Sequence, residues 1–237
     1  MEKYDKKGDV SYTLGTTLTF ELLLRKPEVA TRIYIHPKQK RDATYEKMRA
    51  LAAKANIPFI TNNQKIFSLS PKDNVMMIGE FQKFQSKTVP HGNHVVLVNP
   101  SNQGNLGTIF RSAAAFSIDF LAIIRPAADA FDPKTVRSSM GAIFSVPFAY
   151  FSSFEEYQSF AGSRHYYPFM LQCSSPLHKV GKNQPYSLIF GNEATGLPDS
   201  FLQIGTPVRI EQSSLVDSLN LDNAVSIGLY SFLEQNH

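Results

Sequence analysis

The sequence predicts an α/β chain whose main sheet is mostly parallel, preceded by a smaller α/β unit. Three observations predict it. Short, continuously apolar runs, HVVLV from residue 94, FLAII from 120 and YSLIF from 186, fit strands buried on both faces, as in a parallel sheet. Helical patterns alternate with these runs, as βαβ connections require. Charge also divides the chain: residues 1–90 hold 16 Lys/Arg against 9 Asp/Glu, while residues 91–237 hold 8 against 11. A cationic front half suits a polyanion or is simply a solvated lysine-rich surface, and the acidic back half suits a different task.

Taken in order, residues 1–14 read as a loose charged arm, and residues 15–85 as the small basic domain. Within it, TLTFELLLRKPEVA predicts a short helix ending near Pro27, and RIYIHP a strand. ATYEKMRALAAKANI predicts an amphipathic helix with apolar residues at 48, 51, 52 and 55. IPFI and NVMMIGEF predict two more strands. Residues 86–93, polar and holding Pro90 and Gly92, predict the linker. The second domain then spans 94–237. HVVLVNP is its first strand. LGTIFRSAAAF is a helix with Ile109, Phe110 and Ala113 inward, and FLAIIRP is the next strand. A helix is expected around Phe154–Phe160, followed by strands in YPFMLQC, YSLIFG and PVRIEQ. LDNAVSIGLYSFLEQ closes the pattern as an amphipathic helix.

Composition narrows the classes. The 237 residues suit one large domain or two modest ones, and 43% apolar with 19% charged residues is an ordinary globular balance. No run approaches the roughly 18 apolar residues of a membrane span, and the charged N-terminus carries no apolar secretory core, so a reducing cytoplasm is expected. Cys173 is the single cysteine. It precludes an intramolecular disulfide and reads as a small core residue. His91 and His94 are three apart with no third ligand nearby, so no metal site is expected.

Four segments could carry chemistry. NPSNQGNLGTIFRSAAAF (99–116) sets Asn102, Gly104, Asn105 and Gly107 between a strand and a helix, where spare N–H groups suit anions. Arg111 reads either as an ion-pair residue or as a partner of Asn105 in one pocket. FDPKTVRSSMGAIFSVPF (131–148) puts Lys134 and Arg137 on one helical face, suited to phosphate or simply solvated. LIFGNEATGLP (188–198) runs a strand into Gly191, Asn192, Glu193 and Gly196, so Glu193 is a helix-start cap or a site carboxylate. RIEQSSLVDSLNLDNAVSIGLY (209–230) places Ser218 and Asn220 before a helix, as caps or as site residues. Three such Gly/Ser/Asn-rich junctions argue for a concave site at one edge of the sheet.

In this order, NQGNLGTIFRSA, LIFGNEATGLP and DSLNLDNAVSIGLY resemble the three motifs of the SpoU (TrmH-like) family of the SPOUT superfamily, and FDPKTVRSSMGAIFSVP resembles a stretch found between them. The resemblance covers about residues 94–234. It implies an RNA methyltransferase that moves a methyl group from S-adenosyl-L-methionine to a ribose 2′-hydroxyl, with ribosomal RNA favoured over transfer RNA. It further implies a C-terminal trefoil knot, an L30e-like RNA-binding domain over 15–85, and a homodimer with the site at the subunit interface. Gly191, Ile210 and Leu219 would bind the cofactor. Asn105, Arg111, Glu193, Ser218 and Asn220 would carry the reaction, and Lys134 and Arg137 would contact RNA. The sequence departs from the family pattern at Glu211 and Gln212, where Pro-Met is usual, and at Asn223. A catalytically degenerate RNA-binding homologue is the alternative. A nicotinamide-dependent oxidoreductase is a third reading, lacking a complete glycine fingerprint.

Overall fold

The computed structural model describes residues 4–70, 74–172 and 175–233. In chain order the elements are β1 (Val10–Leu14), α1 (Thr16–Arg25), β2 (Ala30–Ile35), α2 (Ala43–Lys54), β3 (Phe59–Thr61), α3 (Asn63–Leu69), β4 (Met77–Gln82), β5 (His94–Val98) and α4 (Gln103–Ala115). These are followed by β6 (Phe120–Ile124), α5 (Pro133–Ser138), β7 (Phe148–Phe151), α6 (Phe154–Ala161), β8 (His165–Pro168), β9 (Tyr186–Phe190) and α7 (Leu221–Leu233). Two units result: Met1–Gln85 with Asp129–Ser145, and Ser86–Ala128 with Val146–His237. No described helix is long and apolar enough to cross a membrane.

The first unit carries a four-stranded sheet in the order β1-β4-β2-β3, antiparallel except for the β2–β3 pair. Its core joins Leu23 of α1, Ile33 and Ile35 of β2, and Tyr45, Met48 and Ala52 of α2. These α2 positions repeat at helical spacing, and Asp42 caps the helix by accepting from Tyr45 N at 3.0 Å. Leu51 is half-buried and Ala55 exposed, so the buried stripe is narrower than the sequence suggests.

Two expectations are corrected here. The segment expected to be a loose arm to residue 14 instead ends in β1, paired antiparallel along β4. Its inward positions are Ser11 and Thr13, both fully buried. The Ser11 hydroxyl donates to the Phe131 carbonyl, and Thr13 Oγ1 lies 2.8 Å from Thr19 Oγ1 while accepting from Gly79 N. A strand buried through hydroxyls has no apolar alternation to read. The second correction concerns Asp129–Ser145, expected within 94–237 but belonging to the first unit. Phe131 packs on Phe84 with ring centroids 5.1 Å apart, and Phe144 on Phe81 at 5.3 Å. This aromatic burial is far from local in sequence, so no local pattern announces it. Lys134 and Arg137 ride exposed on α5 and therefore belong to the first unit as well.

The second unit holds a five-stranded sheet in the order β7-β6-β5-β9-β8, every pair parallel. Strands β5, β6 and β9 are buried at every position, as their unbroken apolar runs require. His94 opens β5 fully buried, its Nδ1 2.9 Å from the Tyr157 hydroxyl, which in turn lies 2.6 Å from Ser187 Oγ. That pairing accounts for a histidine within an apolar strand. The YPFMLQC strand is displaced: β8 occupies His165–Pro168, and beyond it only a bridge joins Phe169 to Val208. PVRIEQ likewise forms no strand, only the bridges Phe169–Val208 and Pro176–Arg209. Cys173 lies outside the described residues.

Candidate functional site

In the second sheet β5 has β6 on one side and β9 on the other. The chain therefore turns to opposite sides on leaving the ends of β5 and β9, and such a switch point opens a crevice at the carboxyl ends of the strands. Val98 ends β5 and the chain enters α4. Phe190 ends β9 and the chain enters Gly191–Leu197. Both motif junctions thus lie at one edge of the sheet.

Asn102 caps α4, its Oδ1 accepting from Gly104 N at 2.8 Å and from Asn105 N at 3.2 Å. Glu193 reaches across from the segment after β9. Its Oε2 accepts from Ser101 N at 3.0 Å and from Ser101 Oγ at 2.9 Å. Its Oε1 accepts from Asn102 N at 3.1 Å and Asn105 Nδ2 at 3.2 Å. A carboxylate at the positive end of a helix is electrostatically well placed. Partial burial pushes the Glu193 carboxyl up, but the hydrogen bonds from Ser101 and Asn102 together outweigh burial and leave it below its ordinary range. Asn105 Nδ2 also donates to Asn220 Oδ1 at 3.1 Å, and that same oxygen accepts from Leu221 N at 2.9 Å. Asn220 thus both opens α7 and joins the hydrogen-bonded set of Asn105 and Glu193.

Beside this cluster lies a cavity of about 340 Å³. Gly191, Ile210 and Leu219 all line it, together with Glu193 and Ser218. Its walls come from Phe169–Gln172, Gly191–Leu197 and the stretch from Ile210 to Ala224. Phe169 and Phe190 stack at 4.3 Å in its wall. Gly191 is required by close approach: a Cβ there would run into the backbone of Gly196 and Leu197. The remaining loop is tied by Gln212, whose Nε2 donates to Asp217 O at 3.1 Å, and by Glu211, whose Oε2 lies 3.0 Å from His178 Nδ1. These are two of the three positions at which the sequence reading noted a departure, and both are engaged. The wall combines apolar Ile210, Leu219 and Phe190 with exposed backbone and the polar ends of Asn192, Gln212 and Ser218. That mixture fits a nucleoside-sized ligand with an apolar ring and polar edges.

The structure brings Asn105, Glu193 and Asn220 into one hydrogen-bonded set, with Ser218 on the neighbouring cavity wall. It does not bring Arg111 there. Six residues at about 100° each turn Arg111 some 120° round α4 from Asn105, and it is exposed, with no hydrogen bond or ion pair to another described residue. Neither of the expected alternatives for Arg111, an ion pair or a pocket shared with Asn105, is realised within the single chain. Sequence reasoning missed Ser101, and it noted Asn192 and Gln212 without giving either a site role. Asn192 Nδ2 donates to Asn99 O at 2.7 Å, tying the two junctions together. Among the described residues no group of three or more His, Cys, Asp or Glu could hold a metal ion.

A family model described as the SpoU rRNA Methylase family matches residues 92–230. The 23S rRNA (uridine(2479)-2′-O)-methyltransferase of Streptomyces viridochromogenes is 32% identical over 155 residues, which are 60% of this chain and 52% of that protein. The match thus spans about half the length of that relative. Among solved structures, an AdoMet-bound rRNA methyltransferase from Sinorhizobium meliloti is 26% identical with a TM-score of 0.80, covering 96% of this chain and 88% of that one. A structure described as giving insight into the 2-OH methylation of C/U34 on tRNA is 26% identical with a TM-score of 0.56, covering 62% of this chain and 98% of that one.

Proposed function

Because the chain belongs to the SpoU rRNA methylase family, we propose that it transfers a methyl group from S-adenosylmethionine to a ribose 2′-hydroxyl of RNA. The observation that carries this reading is the Asn105–Glu193–Asn220 cluster at the edge of the cavity, within the matched residues. Gly191, Ile210 and Leu219 hold the cofactor, chiefly through backbone groups and apolar contact. Bound there, S-adenosylmethionine supplies a methyl group already activated by its positive sulfur.

The protein's task is then to position an oxygen and stabilise its charge, and positioning alone can supply much of the acceleration. The Asn105 and Asn220 amides and the Ser218 hydroxyl orient the ribose. Glu193 acts through Asn105 and the start of α4, holding both in place. Arg111 binds the phosphate next to the reacting ribose and stabilises the developing alkoxide. A guanidinium stays protonated, so it is no base as it stands, and the proton leaves to that phosphate or to water.

The enzyme acts as a homodimer, with Arg111 of one copy completing the site of the other. The exposed position of Arg111, away from the cluster of its own chain, supports this reading. So do Ile227 and Tyr230, which leave apolar surface exposed on the neighbouring α7. The convergence of Phe169–Gln172, Gly191–Leu197 and Ile210–Leu219 on one cavity supports a trefoil knot at this end of the domain. The mixed sheet and helices of the first unit support an L30e-like fold, with Lys134 and Arg137 as RNA contacts. Ribosomal RNA is the favoured substrate, since likeness to the Sinorhizobium rRNA methyltransferase extends over 96% of the chain, against 62% for the tRNA methylation structure. Work in the cytoplasm accords with relatives that are named as methyltransferases of ribosomal and transfer RNA.

Incubation with methyl-labelled S-adenosylmethionine and bulk ribosomal RNA, followed by nucleoside analysis, tests the reading. Label in a 2′-O-methylnucleoside is the expected result. Cofactor binding without transfer to ribosomal or transfer RNA would favour the degenerate homologue.

A further inference from the structure

Several cations of unit one meet carboxylates. Arg25 meets Glu21, Lys26 meets Glu28, Arg32 meets Glu80 and Arg49 meets Glu46. The turn between β2 and α2, His36-Pro37-Lys38-Gln39-Lys40-Arg41, does not follow this pattern. Lys38, Lys40 and Arg41 are exposed, and none meets a carboxylate among the described residues. The nearest carboxylate in sequence, Asp42, is committed to the α2 cap.

The turn is nonetheless firmly built, and its own bonds use neutral groups. His36 N donates to Met76 O at 2.9 Å, anchoring the turn beside β4. Gln39 N donates to His36 O at 2.9 Å, and Lys38 N donates to His36 Nδ1 at 3.0 Å. The Gln39 side chain accepts from Thr16 Oγ1 at 3.3 Å and donates to Lys40 O at 2.9 Å. The backbone is thus fixed while three cationic side chains face solvent without neutralisation. Clustered like charges repel one another. A fixed cluster therefore makes physical sense when a polyanion neutralises it, and a preorganised frame lowers the ordering cost of that contact.

We propose that Lys38, Lys40 and Arg41 form a phosphate-gripping turn for the RNA substrate, separate from the α5 cations Lys134 and Arg137. The inference rests on the RNA reading above and names the surface that holds that RNA. Its contacts go to the phosphate backbone, so it contributes affinity and register rather than sequence choice. Arg41 can engage two phosphate oxygens at once, while the lysines act as point charges.

The test is filter binding of the full-length protein to bulk ribosomal RNA across a salt series, comparing wild type, the triple variant Lys38→Ala/Lys40→Ala/Arg41→Ala, and Arg49→Ala as a control from a paired cation. The triple variant is expected to bind on the order of tenfold more weakly at low salt, and its log–log salt slope to flatten by about two to three. Affinity for S-adenosylmethionine and the urea unfolding midpoint should stay at wild-type values, which separates lost grip from lost fold. An unchanged slope in the triple variant, or an equal loss in Arg49→Ala, overturns the proposal while leaving the methyltransferase reading intact. Failure of the wild type to bind RNA at all would overturn both.

Discussion

Glu193 gathers two backbone N–H groups, one hydroxyl and one amide at the entrance to α4. Most of those donors are solvent-exposed and pass to water when it is removed, so Glu193→Ala should lower unfolding free energy by about 0.5–1.5 kcal/mol. It should also cut methyl transfer at least tenfold, because Asn105 loses its tether. Urea titration and labelled methyl transfer measure the two effects, and wild-type values in both would remove Glu193 from the site. His94 gives a second test. Burial, with the Arg164 charge adding to it, lowers its pKa from 6.5 to about 4. The folded state therefore holds a neutral imidazole where the unfolded chain would take up a proton. That stabilisation is present above pH 6.5 and is lost as pH falls toward 4, by up to about 3 kcal/mol. In His94→Phe this component should vanish from the pH dependence of the urea midpoint, although the Tyr157 hydroxyl then loses a partner and the variant starts lower.

Helix α7 shows a conflict between local and tertiary preference. Glycine inside a helix ordinarily costs up to about 1 kcal/mol relative to alanine, so Gly228→Ala should help if propensity decided. A Cβ at 228 would instead sit 2.8 Å from Phe169 Cζ and 3.0 Å from Phe190 Cζ, pressing on the stacked pair in the cavity wall. Overpacking of this kind costs about 1–3 kcal/mol. The expected outcome is net destabilisation near 1 kcal/mol with weaker S-adenosylmethionine binding, read by urea titration and calorimetry. A more stable variant would mean that the rings yield freely. The same contrast governs what could be read from the sequence. Strands β5, β6 and β9 were legible because burial on both faces leaves unbroken apolar runs. Strand β1 was not, because Ser11 and Thr13 are buried by hydrogen bonding. The glycine- and asparagine-rich junctions announced where the cavity lies. Nothing local could announce that Glu193 ties down the start of α4, whereas helix periodicity by itself already sets Arg111 some 120° from Asn105.

For the molecule as a whole, a homodimer predicts a sedimentation mass twice that of the 26.5 kDa chain. Ile227, 41% exposed, is then a natural point of attack. Ile227→Asp should shift the protein toward monomer and reduce methyl transfer, because Arg111 would no longer reach a second site. A monomeric, fully active wild type would sink the shared-site idea. The charge split noted in the sequence survives the revised boundaries, since the segment moved to the first unit brings Lys134 and Arg137 but also Asp129 and Asp132.

The segment Asp129–Ser145 has a consequence for ancestry and for dissection. The chain leaves the second unit after Ala128 and re-enters it at Val146, so the two units are joined by three covalent crossings. The family match over 92–230 includes that whole excursion. A gene cut near Ser86 would therefore yield a fragment carrying Phe131 and Phe144 without the phenylalanines they pack on. Exchanging the front half between relatives by a single recombination would leave the same mismatch. The two halves are bound to change together, as partners in inheritance rather than interchangeable modules.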